Sequence, residues 1–227
     1  SQMWSPKNYD GKFEGQMKLR AALAKSKNLV SVRVIRKIGP RYAQDFIQRF
    51  GFEAEKHPPY LTMALGAGAV TPLQLATGYG VFANGGYRVE PYLISKVIDA
   101  KGNVLFEASP QKAGDSNLRV LDARTAFVMD SLLQEVTKTG TAASARPALG
   151  RSDIAGKTGT TNESMDAWFA GYQSNVVAVA WMGFDKPKSL GDRETGGGLA
   201  LPMWIRYMKT ALNGVPESTR PVPAGVS

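Results

Sequence analysis

Three consecutive strand-like segments in the second half of the chain constrain its fold more than any other feature. Residues 153–162 predict a strand followed by a short turn, and residues 166–172 predict a second strand. The nearly continuous apolar run over 176–184 is typical of a buried third strand. Two earlier strands, over 92–99 and 103–108, form a predicted hairpin. Strands joined by short turns pair antiparallel, so we expect a mainly antiparallel five-stranded sheet.

Helical patterns before, between and after these strands complete the predicted architecture. The pattern between Thr71 and Asn84 begins with threonine at the N-cap and proline at the first helical position, a preferred start for a helix. Helices from both ends of the chain are expected to cover the faces of the sheet, so the predicted fold class is α/β. The other predicted helices span 18–25, 29–38, 41–50, 122–138 and 200–212.

The first of the three late strands carries polar residues that fit an acidic peptide end. With a period of two, Thr158 and Thr160 share one face of the strand and Lys157 lies on the other. Gly159 has no Cβ, so another backbone can approach closely there. An edge strand of this kind can pair with an extended peptide, whose carboxylate the two hydroxyls and the ammonium would hold. The alternative is an ordinary hairpin with a solvated lysine.

The same four letters occur earlier, at Lys138-Thr139-Gly140-Thr141, in a different setting. The preceding residues, 125–137, place their apolar side chains at helical spacing, and Gly140 falls where such a helix would stop. This copy is therefore predicted to be a helix exit, and the chemistry is assigned to Lys157.

Composition and charge argue against several kinds of site. The 28 lysine and arginine residues against 19 acidic ones give a formal net charge of +9. These residues are scattered rather than clustered, which argues against a nucleic-acid partner. The chain has no cysteine and one histidine, His57, so a zinc site and a histidine-based triad are not expected. No metal or cofactor is predicted, and no apolar run approaches the roughly 20 residues that span a membrane.

Serine chemistry without histidine needs another base, and a lysine with a lowered pKa commonly takes that place. Two triplets fit such chemistry: Ser26-Lys27-Asn28 at a predicted helix end, and Lys157-Thr158-Gly159 on a predicted strand. In this order they match two of the three motifs of penicillin-binding proteins and class A β-lactamases, which are Ser-x-x-Lys, Ser-x-Asn and Lys-Thr-Gly. A lone Ser-x-Asn triplet is most often a helix cap, so the order of the two triplets carries the specificity.

The flanking sequence extends this resemblance to nearly the whole chain, which is similar to the later part of the transpeptidase domain of class A penicillin-binding proteins. The resemblance implies the fold shared by penicillin-binding protein transpeptidases and β-lactamases. The stretches that carry it lie in 6–28, 64–86 and 156–185, and include Thr71-Pro72-Leu73-Gln74, Asp166-Ala167-Trp168-Phe169 and Trp181-Met182-Gly183-Phe184-Asp185.

The resemblance departs at the nucleophile. The serine and lysine of the family's Ser-x-x-Lys motif lie upstream of Ser-x-Asn, and no such motif precedes Ser26 in this sequence. The one Ser-x-x-Lys present, Ser109-Pro110-Gln111-Lys112, follows Ser26 in a predicted loop, and we interpret it as chance. Residues 1–214 are therefore expected to be a partial transpeptidase domain, inactive alone, and 215–227 a flexible proline-rich tail.

The resemblance implies peptidoglycan D,D-transpeptidation through a serine acyl-enzyme. Ser26 would relay a proton between the nucleophile and the leaving nitrogen, and Asn28 would hydrogen-bond the substrate amide. Lys157 would hydrogen-bond Ser26 and set the local electrostatic field. Lys27, between the two motif residues, would point to solvent.

The strand residues would bind the substrate under the same resemblance. The hydroxyls of Thr158 and Thr160 would hold its terminal carboxylate, and the Thr160 N–H would form half of the oxyanion hole. Gly159 would let the substrate lie flat against the strand. Thr161 would shape the floor of the cleft, or simply make the turn.

The implied partners are peptidoglycan stem peptides ending in D-Ala-D-Ala, and β-lactam antibiotics. The full protein would carry a membrane anchor and a glycosyltransferase domain, and would act on the periplasmic side of the bacterial inner membrane. Two alternatives stay open: a D,D-carboxypeptidase or β-lactamase of the same fold, which uses water as the acceptor, and a non-catalytic cell-wall-binding module. A Ser-x-x-Lys upstream of Ser1 in the parent protein would argue against the binding module.

Overall fold

The described part of the chain, residues 4–226 of a computed structural model, contains seven α-helices and five β-strands. No helix within it is long and apolar enough to cross a membrane. The helices are α1 (Leu19–Ala24), α2 (Asn28–Ile38), α3 (Pro40–Ile47), α4 (Pro72–Ala83), α5 (Ala123–Lys138), α6 (Ala145–Leu149) and α7 (Leu201–Ala211). The strands are β1 (Lys96–Ile98), β2 (Val104–Glu107), β3 (Ala155–Thr160), β4 (Asp166–Gln173) and β5 (Val176–Gly183).

The helices form where the sequence patterns predict them, apart from α6, which lies in a predicted loop. Helix α4 begins with a complete capping box: Thr71 Oγ1 accepts the Gln74 N–H (3.1 Å), and the Gln74 side chain accepts the Thr71 N–H (2.9 Å). Ser26 lies between α1 and α2, at a helix end as predicted. The segment 109–112 is not helical, so its serine and lysine do not share a helix face.

The strands form two antiparallel sheets rather than one. Strands β3, β4 and β5 make a three-stranded sheet in that order, and β1 pairs with β2 in a separate hairpin. All residues of these two strands are exposed. The antiparallel α/β class is confirmed, but the single five-stranded sheet is wrong, because alternation along a strand does not determine which sheet edge a hairpin joins.

The three-stranded sheet is covered by helices on both faces. On one face Trp204 of α7 packs against Phe169, with ring centroids 4.8 Å apart, and its indole N–H donates to Ala178 O (3.1 Å). On the other face Leu133 of α5 packs with Tyr172, whose hydroxyl donates to Asp130 (2.8 Å). This packing holds β3 firmly beside the end of α5, where the candidate site lies.

The segment that follows α7 is attached to the body of the protein. Ser218 N–H donates to Asp153 Oδ2 (3.0 Å), and the Arg220 guanidinium donates to the carbonyls of Phe82 and Ala83 at 2.6 Å each. The two Arg220 bonds are made at the end of α4, where backbone carbonyls lack helical partners. The flexibility expected of residues 215–227 from their proline content stays a prediction.

Candidate active site

Ser26 lies in the turn between α1 and α2, in a left-handed backbone conformation with φ of 55°. Hydrogen bonds from Ser26 N–H to Leu23 O (3.0 Å) and from Lys27 N–H to Ala22 O (2.9 Å) hold this turn. The left-handed conformation costs a residue with a Cβ about 1–2 kcal/mol, whereas glycine adopts it freely. Such strain is found more often at functional sites, which agrees with the role predicted for the Ser26 hydroxyl.

The hydroxyl of Ser26 meets the side chain of Lys157, which lies 131 residues further along the chain. Lys157 Nζ donates to Ser26 Oγ at 2.7 Å, and also to the carbonyl of Thr158 at 3.0 Å. The two predicted motifs are therefore in direct contact. Because Ser26 accepts a hydrogen bond from the lysine, its own proton stays free to be donated to another group.

Burial lowers the pKa of Lys157 from 10.5 to about 8. No carboxylate lies within 4.0 Å of the ammonium in the described range 4–226, so nothing there offsets the loss of hydration. The ammonium form predominates at pH 7, and the neutral amine becomes accessible within about one pH unit of neutrality. A group that titrates in this range suits proton transfer.

The two threonine hydroxyls of β3 lie on the same face of the sheet, as the strand period predicts, and each has a neighbour in the structure. Thr160 Oγ1 accepts the N–H of Gly196 at 3.1 Å. Thr158 Oγ1 lies 2.7 Å from the hydroxyl of Thr141. Both hydroxyls are half-buried rather than sealed in the core. They can therefore reach a ligand at the edge of the sheet.

The outer edge of β3 is open to an extended ligand. Among residues 4–226, β3 pairs with β4 alone. Thr161 N–H donates to Asp166 O (3.2 Å), and residues in an antiparallel pair alternate between bonded and non-bonded positions. The N–H groups of Thr158 and Thr160 therefore point away from β4. This agrees with the predicted edge strand that can pair with a peptide.

The second Lys-Thr-Gly-Thr copy is a helix exit, as predicted, but it also reaches the site. Helix α5 ends at Lys138, and Thr139 is its C-cap. Beyond the cap, Thr141 N–H donates to Ala24 O (3.0 Å), and its hydroxyl contacts Thr158. Sequence analysis missed Thr141 because its contacts depend on how α1, α5 and β3 pack. The repeated Lys-Thr-Gly-Thr motif singles out this segment, but it does not predict the contact of Thr141 with Thr158.

Gly140 is the residue that allows this approach. A Cβ built at position 140 would lie 2.2 Å from Ala24 O, a backbone atom that cannot move aside cheaply. We expect Gly140→Ala to lower the free energy of unfolding by about 3 kcal/mol, because it overpacks the contact between α1 and the end of α5. Chemical denaturation of the 227-residue chain measures this. The matched control is Gly80→Ala in α4, where a Cβ meets no atom within 4 Å; stability there is expected to stay equal or rise by up to about 1 kcal/mol. Equal effects at both sites would contradict the prediction.

The expectation that Lys27 points to solvent is wrong. Its side chain is 5% exposed and forms ion pairs with Asp10 (2.7 Å) and Glu14 (2.9 Å). Hydrogen bonds to Asp10 and then to Glu14 raise the pKa of Lys27. The segment before α1 folds over α2 and brings these carboxylates to the lysine, which local sequence does not reveal. Asn28 is tied to the same segment, since its Nδ2 donates to Lys7 O (3.0 Å).

Thr161 closes the turn between β3 and β4. Its hydroxyl accepts the Asp166 N–H at 2.8 Å, which favours the turn role of the two roles expected for it. The Asp166 carboxylate accepts the indole N–H of Trp181 at 2.8 Å. A Cβ at Gly159 would lie 3.2 Å from Trp168 Cβ, so the glycine lets β3 and β4 approach closely. The substrate roles of Thr161 and Gly159 stay predictions.

Within the described residues, no group of three or more histidine, cysteine, aspartate or glutamate side chains lies close enough together to hold a metal ion. The donors at the site are a lysine ammonium, hydroxyls and backbone N–H groups. These groups bind and orient an anionic or carbonyl-bearing ligand.

Comparison with known proteins identifies the family of this chain. Residues 1–203 match the family model of the penicillin binding protein transpeptidase domain. Penicillin-binding protein 1A of Neisseria lactamica is 49% identical over 224 residues, which are 99% of this chain and 28% of the relative. The corresponding protein of Pseudomonas aeruginosa is 40% identical over 269 residues, covering 99% of this chain and 33% of the relative. The chain thus spans about a third or less of these relatives.

Solved structures give the same result. The crystal structure of penicillin-binding protein 1A from Haemophilus influenzae superposes with a TM-score of 0.93 at 37% identity, over 99% of this chain and 38% of that one. PonA1 from Mycobacterium tuberculosis, in complex with penicillin V, superposes with a TM-score of 0.79 at 25% identity, over 97% of this chain and 63% of that one.

Proposed function

Because the chain belongs to the penicillin-binding protein transpeptidase family, we propose that it forms part of a serine-type D-Ala-D-Ala transpeptidase that cross-links peptidoglycan. The observation that carries this proposal is the 2.7 Å hydrogen bond from Lys157 Nζ to Ser26 Oγ. It joins the two motifs at a lysine whose pKa is lowered to about 8. No histidine or metal is needed for that pair to move a proton.

The nucleophile is supplied by a Ser-x-x-Lys segment outside these 227 residues. Its serine attacks the carbonyl of the penultimate D-Ala, the peptide bond to the terminal D-Ala breaks, and an acyl-enzyme forms. Ser26, held by Lys157, donates a proton to the leaving nitrogen and recovers one from the nucleophile. In the second step the amine of a neighbouring stem peptide attacks the carbonyl of the acyl-enzyme and gives up a proton. The ester bond then breaks, and the nucleophilic serine regains its proton.

The substrate lies along the open edge of β3. The Thr158 and Thr160 hydroxyls donate to the terminal carboxylate, and the Thr160 N–H, which points away from β4, donates to the oxyanion. Loss of one oxyanion donor raises the barrier by on the order of 3 kcal/mol. Asn28 donates to or accepts from the substrate amide, with its amide held at Lys7.

The partners follow from this site. β-Lactams bind at this site and acylate the same serine as the stem peptide does; the penicillin V complex of the similar PonA1 supports the binding of a β-lactam. The rest of the protein carries the membrane anchor and the glycosyltransferase domain, and the site faces the periplasm. Residues 1–214 alone form no acyl-enzyme.

The proposal is tested by mass spectrometry after incubation with fluorescent penicillin. We expect a covalent adduct on a serine of an upstream Ser-x-x-Lys in the longer protein, and none on the 227-residue chain. An adduct on Ser26 in the short chain would contradict the assigned roles. A longer protein with an intact Ser-x-x-Lys and no adduct would favour the non-catalytic cell-wall-binding module.

The acceptor is tested on the same longer protein, with a stem-peptide donor in place of penicillin. A transpeptidase transfers the peptide acyl group to an added amine, such as a stem-peptide analogue, faster than to water. Release to water alone would assign the protein to the carboxypeptidases or β-lactamases of this fold.

A further inference from the structure

Thr141 contributes a hydroxyl to the site from outside the strand that carries the motif. Its Oγ1 lies 2.7 Å from Thr158 Oγ1, and either hydroxyl can donate in that pair. The Thr141 side chain is exposed, so its hydroxyl is not there to satisfy a buried group. The contact of the Thr141 hydroxyl with the Thr158 hydroxyl therefore has another explanation.

The backbone around Thr141 is held on several sides. Its N–H donates to Ala24 O, two residues before Ser26, at 3.0 Å. Ala142, the next residue, is fully buried. A Cβ at Gly197 would lie 3.2 Å from Thr141 O, so the glycine segment before α7 packs on the other side. Thr141 is therefore fixed relative to both motifs.

The hydroxyl oxygens of Thr158 and Thr160 have similar hydrogen-bonding surroundings. The oxygen of Thr160 accepts a hydrogen bond from the Gly196 N–H, so its own proton is left for a ligand. The oxygen of Thr158 can accept in the same way from the Thr141 hydroxyl. A carboxylate only accepts hydrogen bonds, so a site for it needs hydroxyl protons that point outward. A hydroxyl whose oxygen accepts a hydrogen bond is also polarised by it, and the hydrogen bond that the hydroxyl donates becomes stronger.

We propose that Thr141 is a positioning residue whose hydroxyl donates to Thr158 Oγ1, so that the Thr158 hydroxyl donates to the terminal carboxylate of the donor peptide. This inference rests on the proposed transpeptidase function and deepens it, by naming a residue that sets the preference for a free carboxylate. The Thr141 side chain itself need not touch the substrate.

The test uses the longer protein with its nucleophile and two thioester donors, one ending in a free carboxylate and the other in a carboxamide. Thr141→Val keeps the branched shape and removes the hydroxyl. We expect it to raise KM for the carboxylate donor roughly 3- to 10-fold with little change in kcat, the effect of losing one hydrogen bond. The carboxamide donor should be unaffected. Thr141→Ser, which keeps the hydroxyl, should restore the wild-type KM.

A merely structural role predicts a different pattern. Equal losses on both donors, or the same loss in Thr141→Ser as in Thr141→Val, would overturn the inference, as would an unchanged KM in the valine variant. Failure of the wild-type protein to react with either donor or with penicillin would instead reject the proposed function, and this inference with it.

Discussion

Replacing Ser26 by alanine is expected to slow acylation by penicillin about 10²- to 10⁴-fold, the usual contribution of a group that transfers a proton. The reason is the contact with Lys157: the hydroxyl accepts from the ammonium at 2.7 Å and can pass its own proton to the leaving nitrogen. The measurement is the second-order acylation rate in the longer protein that carries the Ser-x-x-Lys segment. A loss below about threefold would contradict the relay.

Ser26→Gly separates the chemistry from the backbone strain. Glycine also lacks the hydroxyl, so acylation should be as slow as in the alanine variant. Because φ at this position is 55°, glycine should raise the free energy of unfolding by about 1 kcal/mol over alanine. A variant that is more stable and equally inactive would show that the serine is present for its hydroxyl. Similar stability of the glycine and alanine variants would remove the argument from strain.

Replacing Lys157 by methionine is expected to raise the free energy of unfolding more at pH 7 than at pH 10.5. The difference between the two increases should be about 3 kcal/mol. The folded pKa of Lys157 is lowered to about 8 from 10.5, so the unfolded chain binds the proton more tightly. The resulting penalty is present in full below pH 8, and it is relieved as the pH rises from 8 to 10.5. Methionine has no charge to bury and avoids the penalty throughout. Urea denaturation of both proteins across this pH range measures the difference.

Lys138→Met is the matched control, because Lys138 begins the other Lys-Thr-Gly copy and is exposed. Its substitution should change stability by less than about 0.5 kcal/mol. If the two variants behave alike, or if the stabilisation by Lys157→Met grows as the pH rises, burial of the Lys157 ammonium is not the cause.

Much of the local structure could be predicted because its causes are local. The capping box at Thr71, the helix exit at Gly140 and the edge strand with Thr158 and Thr160 all follow from periodicity and from the residues at chain reversals. The two motifs, their order and the stretches around them also carried the resemblance to a family, which the comparisons confirm. The β1–β2 hairpin was predicted, but its separation from the three-stranded sheet was not. Nothing in a short apolar hairpin specifies the sheet that it joins.

The sequence by itself determined the helices, the antiparallel strands and the two triplets that carry the chemistry, because dihedral preferences and side-chain periods act over a few residues. Only the tertiary structure decided which distant groups meet. It brought Ser26 to Lys157 across 131 residues, buried Lys27 against Asp10, and placed the Thr141 hydroxyl in contact with that of Thr158. These contacts depend on how closely packed backbones approach, as at Gly140. That distance is set by the sum of many packing interactions rather than by any one segment.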